Sequence, residues 1–167
     1  GKSVYFSIST PSLTENKSSR VLYRTSVNGS GQIAIARSAS IIKTEKNGQL
    51  LLLKDGQIWQ TGADGSSAVQ LSRQSAPFEI VKISPDGRKI LFTRDVAVEK
   101  IEAKDKYPDL PKSNAYVFTD LNYRHWDTWE DGKYSHLFLA DYDNGKLANV
   151  KDLMEGKPYD VPQKPFG

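Results

Sequence analysis

Seven Asn-Gly or Asp-Gly dipeptides punctuate this 167-residue chain, at 28–29, 47–48, 55–56, 64–65, 86–87, 131–132 and 144–145. The pair is the strongest short-range hairpin signal, because both residues tolerate the positive φ that a tight turn demands. Between the turns run segments rich in Val, Ile, Leu, Tyr and Phe, which suit a pleated, half-buried surface. The stretch 79–95, EIVKISPDGRKILFTRD, shows one hairpin in full. Its apolar runs flank Ser84-Pro85-Asp86-Gly87, where proline presets φ at the first corner and Asp-Gly closes the turn. A single hairpin of this kind is common; its recurrence predicts an all-β meander.

The pieces recur in a fixed order. Residues 3–9, 50–54 and 89–95 follow Gly-Lys, Gly-Gln and Gly-Arg, and a second strand answers each, at 20–25, 57–61 and 136–142. Next come the turns Asn28-Gly-Ser-Gly31, Asp64-Gly-Ser-Ser67 and Asp143-Asn-Gly-Lys146, then a short outer strand at 32–36, 68–71 or 147–153. The anchoring glycines Gly1, Gly48 and Gly87 lie 47 and 39 residues apart. Periods of about 40 with four strands each are what propeller blades show. The reading is an incomplete β-propeller of about three four-stranded blades, at 1–37, 40–72 and 78–153, with one long, partly helical insertion at 96–135. The innermost strands of the second and third blades fall at 40–46 and 78–83. The first blade has none, and 158–167 reads as the start of a further blade. Three blades cannot close a ring that takes about four to eight, and open ends leave strand edges unpaired. The chain therefore reads as a fragment of a larger propeller, with a small complete β-sandwich as the rival.

Composition narrows the function. At 38% hydrophobic and 26% charged, the chain has the make-up of an ordinary globular protein. No apolar run approaches the ~20 residues that span a bilayer, so no membrane span is expected. The net charge of +3 is scattered among acids, not gathered into a stripe, which argues against nucleic-acid binding. With no cysteine, disulfides, thiolate zinc sites and cysteine nucleophiles are excluded.

The insertion concentrates the unusual residues. It opens on the charged, breaker-free run 96–106, a predicted short helix ended by Pro108 and Pro111. An aromatic stretch follows, Tyr116-Val-Phe118 and Tyr123-Arg-His-Trp-Asp-Thr-Trp-Glu130, holding two of the three tryptophans. Connections this long are functional or disordered, and this one is too aromatic to be disordered. In one reading the insertion lines a binding cleft. Arg124, Asp127 and Glu130 then hold charged ends of a ligand between walls made by Trp126 and Trp129. In the other, the aromatics cap the blade and Arg124 pairs with Asp127 or Asp120.

No catalytic apparatus is legible. The two histidines, His125 and His136, make no convincing metal site, and His136 reads as a satisfied structural residue. No Gly-x-Ser-x-Gly elbow occurs. The run Asn28-Gly-Ser-Gly31 joins two strands and lacks the helix that a phosphate loop requires. No catalytic residue, cofactor or metal is expected in this chain.

A resemblance supplies what the residues alone do not. The segment 83–93, ISPDGRKILFT, resembles a propeller blade of the prolyl oligopeptidase family of serine peptidases. The segments 7–17, SISTPSLTENK, and 123–129, YRHWDTW, resemble its bacterial dipeptidyl peptidase and acylaminoacyl peptidase branch. The resemblance implies the N-terminal propeller part of a serine exopeptidase, whose C-terminal α/β-hydrolase domain carries the triad and is absent from this chain. It implies peptide substrates, a gating role for the propeller and a periplasmic or secreted location, cytoplasmic being the alternative. Acidic residues of a propeller insertion would hold a peptide's free amino end, with Glu130, Asp127 and Asp131 the candidates here. A TolB-like propeller that binds proteins or peptides without catalysis is the alternative function.

Overall fold

The computed structural model describes residues 2–121, 123–125 and 127–162. Strands dominate: β1 (Ser3–Ser12), β2 (Lys17–Ser26) and β3 (Ile33–Arg37), then β4 (Ala39–Thr44), β5 (Leu50–Lys54), β6 (Gln57–Thr61) and β7 (Val69–Gln70). After β8 (Val81–Ile83) and β9 (Lys89–Ala97) come α1 (Ala103–Lys106) and the small strands β10 (Arg124–His125) and β11 (Thr128–Trp129). The last two are β12 (Lys133–Asp143) and β13 (Lys146–Asp152). The sheet orders are β1-β2-β3, β4-β5-β6-β7 and β13-β12-β9-β8, with β10-β11 a separate hairpin. Three successive meandering sheets, the first lacking an inner strand, make the incomplete propeller that the repeats predict. The chain divides into two compact units, Gly1–Phe92 with Leu139–Val150, and Thr93–Phe138 with Lys151–Gly167.

In the first unit the core follows from alternation. Leu22, Ala39, Leu50 and Leu52 form one cluster, with Tyr5, Ile35, Ile41 and Trp59 packed around it. The run Leu50-Leu-Leu-Leu53 has no polar face because β5 lies between β4 and β6 and its first three residues are buried. Each leucine taken fully out of water contributes about 1.5–3 kcal/mol.

The glycines of all seven Asx-Gly turns have positive φ, yet only Asp55 and Asn144 share it among the seven Asx residues. At the other five turns only the glycine takes positive φ. There the side chain does a different job. Asn28, Asn47, Asp64, Asp86 and Asp131 each accept, through Oδ1, the backbone N–H two residues on, at 3.0–3.1 Å. The carboxylate or amide thus satisfies a donor that the reversal would leave unpaired.

This turn chemistry carries a pH dependence. Hydrogen bonds from the Ser66 hydroxyl and then its N–H hold Asp64 below its usual 3.8, and the Ser84 hydroxyl and then the Arg88 N–H do the same for Asp86. A carboxyl depressed by folding stabilises the native state above its unfolded pKa, and that contribution is lost as pH falls through the folded value. Stability is therefore expected to decline as pH drops below about 4. Asp64→Asn keeps the acceptor, as Asn28 does in the equivalent turn, but cannot titrate. Its urea midpoint should stay close to that of the parent at pH 7 and fall less steeply between pH 4 and pH 2; parallel curves would refute the assignment.

In the second unit the predicted helix over 96–106 shrinks to the single turn 103–106. β9 continues to Ala97, and the N–H groups of Val98 and Glu99 both donate to the Gly132 carbonyl. The backbone pairing outweighs the helical propensity of a short charged run. Further on, Glu102 and Tyr116 form an antiparallel bridge. Ala103 N–H donates to the Ala115 carbonyl and Val117 N–H to that of Ile101, which closes the loop at its neck.

Candidate functional site in the insertion

The insertion builds two adjoining surfaces from the residues that closed its loop. One is a cleft of about 510 Å³ whose lining includes Glu99, Lys100, Lys106, Phe118, Glu130 and Tyr134. The other is a shallower hollow of about 430 Å³, lined by Phe118, Leu121, Tyr123 and Trp129. Phe118, Thr119 and Asp120 line both.

The aromatic wall is stacked. Trp129 lies 5.8 Å from Tyr123 and 6.4 Å from Phe118, at interplanar angles of 18° and 21°. The β10–β11 hairpin sets this up, because its register puts Arg124 opposite Trp129. The Arg124 guanidinium sits 5.4 Å from the centre of the Trp129 ring, and such a cation over an indole face is attracted by its quadrupole. No ion pair within 4 Å joins Arg124 to Asp120 or Asp127 among the described residues. Trp129 is 52% exposed and Leu121 94%.

The acids occupy distinct places. Tyr134 donates its hydroxyl to Glu99 Oε2 at 3.0 Å. Burial first, then that bond and the charges of Glu99, Glu130 and Asp160, push the Tyr134 hydroxyl up to about 12. It thus stays a donor at any physiological pH. Glu130 is fixed through its backbone, whose N–H donates to the Tyr123 carbonyl. Asp127 lies in the tip of the β10–β11 hairpin, exposed, outside both surfaces. Asp131 is engaged elsewhere: burial raises its carboxyl, but the bonds from the Lys133 amine and N–H outweigh this and leave it lowered.

Of the residues expected to act together, the hairpin unites Arg124 with Trp129, and Glu130 follows directly on to the cleft. Trp126 and the His125 side chain lie outside the described residues. Glu99 and Tyr134 were not anticipated. Neither carries a local signal that would single it out, since the two meet across 35 residues of chain.

His136 has a separate, structural place. It is fully buried, with Nδ1 2.8 Å from Asp152 Oδ2 and Nε2 donating to the Lys157 carbonyl at 2.9 Å. No helix among the described residues is long and apolar enough to cross a membrane.

Comparison with known proteins agrees with this architecture. Successive meandering sheets interrupted by one long insertion make a β-propeller segment. No family model matches the chain. Over 99% of its length it is similar to dipeptidyl-peptidase 5 of Porphyromonas gingivalis, at 34% identity, and to that of Porphyromonas endodontalis, at 33%. The chain spans 25% of the length of each. Among solved structures, acylaminoacyl peptidase of Pyrococcus horikoshii shares its fold over 91% of this chain and 23% of that one. The TM-score is 0.62 and the identity 13%. The resemblance to the propeller part of prolyl oligopeptidase-type peptidases, drawn from the blade and insertion motifs, therefore holds.

Proposed function

We propose that this chain is part of the propeller of a serine exopeptidase of the dipeptidyl or acylaminoacyl type. It gates and positions short peptides for an α/β-hydrolase domain carried elsewhere in the same polypeptide. The observation that carries this is the match along 99% of the chain to a quarter of each dipeptidyl-peptidase 5. The insertion supplies suitable chemistry. Glu99 and Glu130 face the cleft as acceptors for a peptide's terminal ammonium, and the exposed Trp129 and Tyr123 rings offer a flat wall to an apolar side chain.

The test uses the full-length polypeptide and a chromogenic dipeptide with a free amino terminus. Glu130→Gln removes the charge and keeps the shape. Since hydrogen bonds to charged groups contribute about 1.5–3 kcal/mol, KM should rise by about tenfold or more with kcat little changed. The same dipeptide blocked by an N-acetyl group should not discriminate the variant from the parent. An unchanged KM for the free amine would remove Glu130 from the site. A full-length protein that hydrolyses neither substrate would instead favour a peptide-binding propeller without catalysis.

A further inference from the structure

The single helical turn of the insertion carries two lysines, Lys104 and Lys106, and the fold uses them differently. Residues two apart on a helix do not face each other. Lys104 forms an ion pair with Glu102, outside the cleft. Lys106 reaches the other way and donates its ammonium to the Val117 carbonyl at 3.1 Å. Both Lys106 and Val117 line the cleft of about 510 Å³, so this ammonium is held at the cleft wall.

The tether is built on fixed backbone. Tyr107 N–H donates to the Ala103 carbonyl, Ala103 N–H to that of Ala115, and Val117 N–H to that of Ile101. These bonds fix both the turn that carries Lys106 and the carbonyl that receives it. One carbonyl uses one of the three donors of an ammonium. No acid lies within 4 Å of Lys106 Nζ among the described residues. The cleft therefore holds a positioned positive charge with donors to spare, alongside Glu99 and Glu130. All these residues belong to one compact unit of the chain.

We infer that Lys106 is a specificity residue of this cleft, favouring peptides whose first residue carries a carboxylate side chain, Asp or Glu. The inference rests on the proposal that the cleft receives a peptide's amino end. The ammonium and the side chain of the first residue leave the same Cα. With the ammonium on Glu99 and Glu130, the side chain meets whatever else lines the same cleft, and Lys106 offers it a charge-assisted hydrogen bond. Lys100 also lines the cleft, but among the described residues it has no such tether and must lose its rotamer freedom to serve.

The test uses the full-length polypeptide and two chromogenic dipeptides with free amino ends, identical except for Glu or Gln as the first residue. The ratio of their kcat/KM values should favour Glu in the parent. It should fall roughly tenfold in Lys106→Gln, which keeps a donor for Val117 but loses the charge, the factor that one hydrogen bond to a charged group supplies. The fall should lie in KM, and Lys106→Arg should restore the ratio. A ratio that does not respond to Lys106→Gln, or one that falls as far in Lys100→Gln, would overturn the assignment. Cleavage that depends on Glu130 yet ignores the first side chain would sink this inference alone. Equal cleavage of the N-acetylated peptides, or of no peptide at all, would sink the amino-end reading and this inference with it.

Discussion

Replacing His136 with leucine is expected to destabilise the protein by about 3 kcal/mol, read as a fall in the urea midpoint. The imidazole is wholly buried and both its nitrogens are used, one against the Asp152 carboxylate and one against the Lys157 carbonyl. Leucine fills the volume but leaves the Lys157 carbonyl without its donor and Asp152 Oδ2 without its ring partner. Breaking a buried pair costs about 3–5 kcal/mol, and the low end applies because the Asp152 side chain remains 18% exposed and keeps a path to water. The loss should be local as well as large. His136 ties the start of β12 to the returning segment after β13, where Asp160 accepts the Ser135 N–H and Val161 N–H donates to the Ser135 carbonyl. Residues 152–161 should therefore lose exchange protection first. In a double-mutant cycle, Asp152→Asn should cost much less in the leucine background than in the parent, because its partner is already gone. Additive losses would mean that the two side chains do not act as a pair.

Phe92→Ala should cost about 3–5 kcal/mol, through lost burial and the cavity that remains. Phe92 is 1% exposed, packs edge-on against Phe78 with ring centres 4.8 Å apart, and stands opposite Val81 in the β8–β9 ladder. Its neighbour Leu91 points to the other face and is 38% exposed, so Leu91→Ala should cost under about 1 kcal/mol. The contrast between adjacent residues is the informative measurement. Equal losses at 91 and 92 would place the strand one residue out of register, since a one-residue slip exchanges its faces.

Much of this was legible in the sequence, for reasons tied to particular residues. Asp86-Gly87 and its counterparts mark reversals because glycine alone takes positive φ there at no steric cost. The inward set His136, Phe138, Ala140 and Tyr142 follows from a period of two along β12. The aromatic hairpin also stood out, because Arg124 and Trp129 are close in sequence and pair locally. Glu99 and Tyr134 did not, since they meet across 35 residues of chain and neither carries a local signal. The helix expected over 96–106 failed for a similar reason: its first residues find backbone partners at Gly132, far along the chain.

The sequence by itself determined the strands, their turns and the blade period. These depend on backbone sterics and side-chain alternation within a few residues. Tertiary structure alone decided which glycines are pressed against a neighbouring sheet, which acids face the cleft and what satisfies His136. Those outcomes rest on contacts between segments tens of residues apart, and residues with the same local chemistry diverge there. Gly65 closes a turn much like its counterparts, and only the packing of the preceding sheet makes it a tight contact, with the Ile35 carbonyl oxygen 2.7 Å from where a Cβ would lie.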